Sequence, residues 1–422
     1  MRKLILMLGL IGTFFTLVAC QKDESYQIEL ITSKIAGGPG YSLVINEQGQ
    51  LYGMGTQMFG VLANGVSSNT SLAPTILNPY FALENDEIFI SVKSGYAHAF
   101  ALTSKHRLFA WGWNVAGQTG TNLNDEIIFT PVDITESFNF NEDELIAQIQ
   151  TGNHHTVLLT SLGRVFAWGE NTFHQVGTQL YDEVRGGIPF VKSPIEITSF
   201  FNLGEQDQII YIGTNQALTF HNRLYAWGIY AITQAGERFS EILDITYTLE
   251  MIDELDNINK LLGSGDFILS NHGKVYQLMW TQTFGLNQSL VLGFDQVVMD
   301  NGFLLTSVFS SKDHMVLVKQ GSDIIAFGKN TYGNLGNGNQ TDVNEYHSEP
   351  LQNGMYSKIY DRFQWEITWL ENESVLEVFL SENHTLVLTT HHRLFGWGSN
   401  QKGELGPQLD QLTYHPQQIV LP

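Results

Sequence analysis

Beyond residue 27 the chain is a succession of short apolar runs, each closed off by Gly, Asn or Pro. Runs of this kind predict β-strands joined by tight turns. No stretch of that region sustains a 3.6-residue apolar period over many turns, so amphipathic helices are not expected. The runs are also not independent of one another. Arg107-Leu108-Phe109-Ala110-Trp111-Gly112 returns as Arg164-Val165-Phe166-Ala167-Trp168-Gly169, Arg223-Leu224-Tyr225-Ala226-Trp227-Gly228 and Arg393-Leu394-Phe395-Gly396-Trp397-Gly398. Looser copies are Gln50-Leu51-Tyr52-Gly53-Met54-Gly55, Lys274-Val275-Tyr276-Gln277-Leu278-Met279 and Asp323-Ile324-Ile325-Ala326-Phe327-Gly328. Their last slots fall at 55, 112, 169, 228, 279, 328 and 398, in steps of 57, 57, 59, 51, 49 and 70. An Ile-rich run and an Ala/Leu-Leu-Thr anchor precede each good copy, and a Gly/Asn loop and a Pro-headed strand follow it. Each unit thus holds four short strands, and the unit occurs seven times. That periodicity predicts an all-β fold, a seven-bladed β-propeller of four-stranded antiparallel blades.

The loop after the third strand carries the most specific pattern. Ala326-Phe327-Gly328-Lys329-Asn330-Thr331-Tyr332-Gly333-Asn334-Leu335-Gly336-Asn337-Gly338 is the fullest copy. Trp111-Gly112-Trp113-Asn114-Val115-Ala116-Gly117-Gln118-Thr119-Gly120 and Trp397-Gly398-Ser399-Asn400-Gln401-Lys402-Gly403-Glu404-Leu405-Gly406 repeat it. These residues resemble the repeat of the regulator of chromosome condensation family, a resemblance that implies a seven-bladed propeller. The fourth and fifth units depart from it, with Thr214 and Gly265 in the slot that holds His98, His155, His314 and His384. In physical terms the motif is a packing device. The ring at the Trp slot fills the wedge between blades, and the neighbouring Gly lets the backbone turn. The tail His415-Pro416-Gln417-Gln418-Ile419-Val420-Leu421 matches the Pro-headed strand of other units, whereas the first unit begins directly at Ile28-Glu29-Leu30. The expectation is that this carboxyl-terminal strand completes the first blade and closes the ring.

The first nineteen residues are of another kind. Arg2 and Lys3 precede an apolar run from Leu4 to Ala19, which has the parts of a secretory signal and is short for a membrane span. It ends Leu17-Val18-Ala19-Cys20, which looks like a bacterial lipobox, and Cys20 is the only Cys of the chain. The reading is a signal peptide at 1–19, a short linker at 20–27 after a lipidated Cys20, and the propeller at 28–422. The protein would then be held to the outer face of the cell membrane by its lipid.

Composition narrows the partners. Asp and Glu number 43 against 21 Lys and Arg, a formal charge of −22. Such an excess repels nucleic-acid phosphates, so nucleic-acid binding is not expected. One Cys supports neither an intrachain disulfide nor a thiolate metal site. His98, His155, His314 and His384 share one slot of the repeat, which suits a structural brace within each blade better than a chelate. The doublets His154-His155 and His391-His392 put neighbours on opposite strand faces. Acidic turns recur before the Ile-rich strands, at Glu84-Glu87, Glu142-Glu144, Glu205-Asp207 and Glu371-Glu373. Recurrence at the blade period reads as solvated loop, since catalysis singles out one or two odd positions. No Walker loop, His-Glu-x-x-His, Gly-x-Ser-x-Gly or EF-type loop occurs, and no cofactor or metal is expected.

The long sixth step is the individual feature. It holds Tyr356, Tyr360, Phe363, Trp365 and Trp369, which read either as a buried hairpin packing against a blade edge, the slightly favoured case, or as exposed loop aromatics that make binding anchors. Trp113, just past a Trp-Gly pair, is a second candidate anchor. The reading is a monomeric, non-enzymatic platform that binds a protein partner, its identity unknown. A hydrolase or lyase acting on polysaccharide or peptide is the alternative, and guanine-nucleotide exchange is a third.

Overall fold

The computed structural model describes residues 27–228, 324–343 and 365–422, together with twelve-residue or shorter strand segments between them at 243–244, 258–262, 267–270, 275–282, 290–297, 305–311, 314–319, 345–350 and 356–360. Their strands form seven sheets in chain order. In the second unit the strands are Phe89–Ser94, His98–Thr103, Leu108–Trp113 and Ile127–Asp133, paired antiparallel in sequence order. The first, fourth and seventh sheets have the same four-stranded order. The third adds a short outer strand, Glu183–Arg185. Helix among the described residues is confined to short 3-10 turns such as Thr135–Phe138.

The motif residues do the packing the sequence suggested. Trp111, Trp168, Trp227 and Trp397 are fully buried. Each indole Nε1 donates to a carbonyl in the loop of the preceding unit: Val61 at 2.8 Å, Gln118 at 3.0 Å, Gln175 at 2.9 Å and Asn334 at 2.9 Å. The polar end of each wedge is therefore satisfied as its ring is buried, which removes the cost of an orphaned donor. At Gly112 the backbone takes φ +101° where the ladder to the fourth strand shifts register. A Cβ there would lie 2.5 Å from the Ala97 carbonyl oxygen, so only Gly fits.

The shared histidines reach the opposite way. His98 Nε2 meets Thr156 Oγ1 at 3.3 Å, His155 Nε2 the Thr214 carbonyl at 3.0 Å, and His314 Nε2 Thr385 Oγ1 at 3.2 Å. The brace runs between units rather than within one. His384 continues the series to Ser42 Oγ at 3.0 Å, joining the last sheet to the first.

Two expectations are corrected here. The carboxyl-terminal strand Leu412–Ile419 pairs with Leu394–Ser399 and so completes the last sheet, not the first. The first sheet has its own fourth strand, Ser71–Ile76, paired with Leu51–Thr56. The Pro-headed run ends each unit, and the apparent gap at the first unit was a matter of where the repeat is cut. The acidic turns are also not simply solvated. Glu87, Glu144 and Glu373 are buried, each against the Arg that opens its unit's third strand: Arg107 at 3.0 Å, Arg164 at 2.8 Å, and Arg393.

The long sixth step contains a hairpin, Glu345–Pro350 with Tyr356–Tyr360. Its second strand runs parallel to Leu290–Val297, so the hairpin extends the fifth sheet, and the sixth keeps three strands.

Candidate binding face

Antiparallel order sorts the turns onto two faces. One carries the turns between first and second strands and the long loops between third and fourth. The other carries the hairpins between second and third strands and the acidic turns. Between them runs a cavity of about 1060 Å³, lined by the first strand of every sheet, through residues such as Lys34, Lys93, Gln150, Tyr211, Phe309 and Glu377. Its charged groups face one another. Burial pulls the Lys93 ammonium down and the Glu377 carboxyl up, and the attraction between the two opposes both shifts.

The repeat makes odd positions visible on the first face. In units one to four, six and seven the slot after the motif's last Gly holds Thr56, Trp113, Glu170, Ile229, Lys329 and Ser399. The slot before the brace residue holds Gly40, Ala97, His154, Gly213, Asp313 and Asn383. Trp113, His154 and Glu170 are thus side chains that the fold does not require, and they meet at one corner. The Trp113 amide donates to Ala97 O at 2.7 Å and the Glu170 amide to His154 O at 2.8 Å, which fixes each slot residue beside its neighbour. His154 Nδ1 donates to Glu170 Oε2 at 2.9 Å. The Trp113 ring lies edge-on to His154 at 5.1 Å and stacks on Phe59 at 5.3 Å. Phe59 is delivered by a left-handed residue of the first unit's loop, φ 58°. Exposed Tyr96 completes the corner, its ring 6.3 Å from His154. The hydrogen bond from His154 holds the Glu170 carboxyl below its ordinary value, against the opposing effect of burial. Tyr96, His154 and Glu170 all border the cavity.

The residues expected from sequence are scattered by comparison. Trp113 is half-buried within this corner. Trp365 is an interior residue, 6% exposed, its Nε1 donating to Leu335 O at 2.9 Å and its ring 4.3 Å from Trp397. It is a second wedge rather than an anchor offered to solvent: it fills the slot in which Phe81, Phe138 and Phe201 pack on the Trp of their own units, and it docks on the loop that also accepts Trp397. Trp369 is half-buried against that cluster. Tyr356 and Tyr360 stand on the extra hairpin strand. Phe363, Gly265 and Cys20 lie outside the described residues. His154 and Glu170 are functional candidates that inspection of the doublet alone missed; comparing slots across the units exposes them. Among the described residues no group of three or more His, Cys, Asp or Glu is arranged to hold a metal ion.

The fold and its wedge loops define an all-β repeat protein of propeller type. The repeat described as the regulator of chromosome condensation (RCC1) repeat matches residues 89–118, 146–175 and 375–404, and a second form of it matches 105–159. The chain therefore carries RCC1 repeats. Protein pim1 of Schizosaccharomyces pombe is 30% identical over 46% of this chain and 36% of its own length. The ultraviolet-B receptor UVR8 of Arabidopsis thaliana is 35% identical over 34% of this chain and 31% of its own. The chain thus spans about a third of the length of these curated relatives. Among solved structures, yeast RCC1 (Prp20) in complex with Kap60 superposes with a TM-score of 0.60 at 17% identity, covering 97% of this chain and 91% of that one. That likeness shows the fold.

Proposed function

We propose that this chain is a lipid-anchored, seven-bladed propeller that binds a protein partner through the face carrying Trp113. The observation that carries the reading is the meeting of Trp113, His154 and Glu170, at slots where the repeat sets no residue type, at one corner beside the cavity. Aromatic and charged side chains held at strand ends on a rigid scaffold, beside a cavity, are what a binding hot spot requires. Support comes also from Prp20, a similar fold that has been crystallised with Kap60 and whose binding to Gsp1p and histones has been described. A similarity to probable E3 ubiquitin-protein ligases keeps the enzyme alternative in view, but it extends over only 13% of the length of HERC4. The anchor and this face are compatible. The Ile31 amide donates to Ala147 O at 2.8 Å, next to the start of Ile146–Thr151, and Ile28 is buried in the same core. The described chain thus begins at the face opposite Trp113, which supports a lipid on Cys20 that would leave the Trp113 face turned outward.

The test compares cross-linked partners of the full-length protein in its own cells. Trp113→Ala is expected to lose the specific partner while the protein stays folded, with a melting temperature lowered only by the lost Phe59 stacking, and Leu162→Ala on the opposite face to keep it. Cys20→Ser is expected to abolish lipid labelling and release the protein from membranes without unfolding it. Membrane retention with unchanged labelling would remove the anchor. Turnover of a glycan or peptide that a single Asp or Glu substitution abolishes, with melting unchanged, would replace the platform by the enzyme.

A further inference from the structure

The described residues contain an internal pattern for holding a guanidinium. Arg107 lies 4.8 Å over the Phe109 ring with Nη1 3.0 Å from Glu87. Arg164 lies 4.8 Å over Phe166 and 2.8 Å from Glu144, and Arg393 lies 4.9 Å over Phe395 and pairs with Glu373. Ring face and buried carboxylate recur together because a planar cation is weakly hydrated and can satisfy both at once.

The corner of Trp113, Tyr96 and Glu170 presents the same two halves on the opposite face. There, among the described residues, no guanidinium lies over Trp113 or Tyr96. The Glu170 side chain is 15% exposed and borders the cavity, and its carboxylate takes hydrogen bonds from His154 and Thr172. A carboxylate has room for about four hydrogen bonds, so capacity remains for a further donor. Phe59 backs Trp113 from behind and His154 fixes Glu170, so neither group needs ordering when a ligand arrives. The chain's charge of −22 adds long-range attraction for a cation.

We infer that this corner is a recognition site for an arginine side chain on an extended segment of the partner, its guanidinium packed against Trp113 and Tyr96 and hydrogen-bonded to Glu170. The inference rests on the platform reading and gives it a chemistry. Arginine is favoured over lysine because the site pairs flat rings with a carboxylate, which a compact ammonium cannot use together.

The full chain labelled with 5-fluorotryptophan tests this by fluorine NMR, the Trp113 resonance being assigned from Trp113→Phe. The probes are acetyl-Gly-Gly-Arg-Gly-Gly-amide and its Lys and Glu analogues. The Arg peptide is expected to shift the Trp113 resonance saturably, the Lys peptide to bind severalfold more weakly, and the Glu peptide not to bind. Glu170→Gln, which keeps an acceptor for His154, is expected to weaken the Arg peptide by roughly tenfold or more. Glu142→Gln, an exposed acid on the other face, is expected to leave it unchanged. No shift, or an equal loss in both variants, overturns the site. So does self-association that Trp113→Ala abolishes without any peptide binding, which would give the corner to a second copy of the chain. The two readings fail separately. Trp113-dependent partner capture without Arg binding removes only the arginine chemistry, whereas Arg binding without such capture removes the platform.

Discussion

Glu373 has a side chain with no solvent exposure, held by Arg393 Nε at 2.8 Å and by the Leu370 amide at 2.8 Å. The Arg393 hydrogen bond, assisted by that amide, pulls its carboxyl down to about 2. The unfolded value is near 4.3, so the folded state binds this proton less readily than the unfolded chain. Its stabilisation is complete above about pH 4.3 and is lost as pH falls towards 2. His98 and His384 add an earlier loss. Burial lowers both to about 3, so they stay neutral when folded while the unfolded chain protonates below about pH 6.5. Urea melts at pH 7, 5.5 and 4 are expected to show stability falling from the first step onward. The double variant His98→Gln, His384→Gln is expected to flatten the fall between pH 7 and 5.5. Glu373→Gln is expected to cost about 1–3 kcal/mol at pH 7, with the penalty shrinking at pH 4 and below. A wild-type midpoint constant from pH 7 to 4 would contradict the whole assignment.

Among the elements, the carboxyl-terminal strand is the one whose place the repeat left open. Leu412–Ile419 fills the outer edge of the last sheet, with buried Ile419 in a core shared with Leu394 and Leu405. Ending the chain at Gly406 would bare the edge of Leu394–Ser399 and uncover that core, inviting intermolecular pairing. Aggregation or a large drop in melting temperature is expected by size-exclusion chromatography and calorimetry; a truncated monomer with unchanged melting would show the strand to be dispensable. The element scale is also where the sequence was most legible. Trp and Gly slots mark the third strand of the second, third, fourth and seventh units because their constraints, a ring to bury and a positive φ, leave few substitutes. The phase of the repeat was not legible, since a cyclic pattern looks the same wherever it is cut. Burial of Glu87 and Glu144 was hidden too, because the partner arginines stand 20 residues downstream and only the folded unit brings them back. The corner at Trp113 was half legible: the Trp was conspicuous, while His154 and Glu170 acquire meaning only when three units are superposed.

For the molecule as a whole, the problem is joining the first sheet to the last without a shared strand. Glu377, on the last sheet's inner strand Val375–Leu380, accepts the Lys34 amide at 2.7 Å and the Ser33 hydroxyl. His384 meets Ser42, whose hydroxyl donates to Glu404 O at 2.7 Å, and Tyr52 OH donates to Pro422 O at 2.9 Å. The junction thus uses the same His brace as those made by His98, His155 and His314, and adds a buried carboxylate. Removing that acceptor strands the Lys34 N–H and the charge of Lys93, while the Ser33 hydroxyl keeps Ile35 O at 2.9 Å. Glu377→Leu is therefore expected to cost about 3–5 kcal/mol, and Glu377→Gln, which keeps one acceptor, about 1–2 kcal/mol. If the junction is the seam of a closed ring, the loss must appear there first. Hydrogen exchange in Glu377→Gln is expected to speed up at Ile35–Gly38 and Val375–Leu380 while the second and third sheets keep their protection. Uniform acceleration across all of these sheets, or none at the junction, would show that Glu377 stabilises the fold generally and that the first and last sheets are not held by this contact.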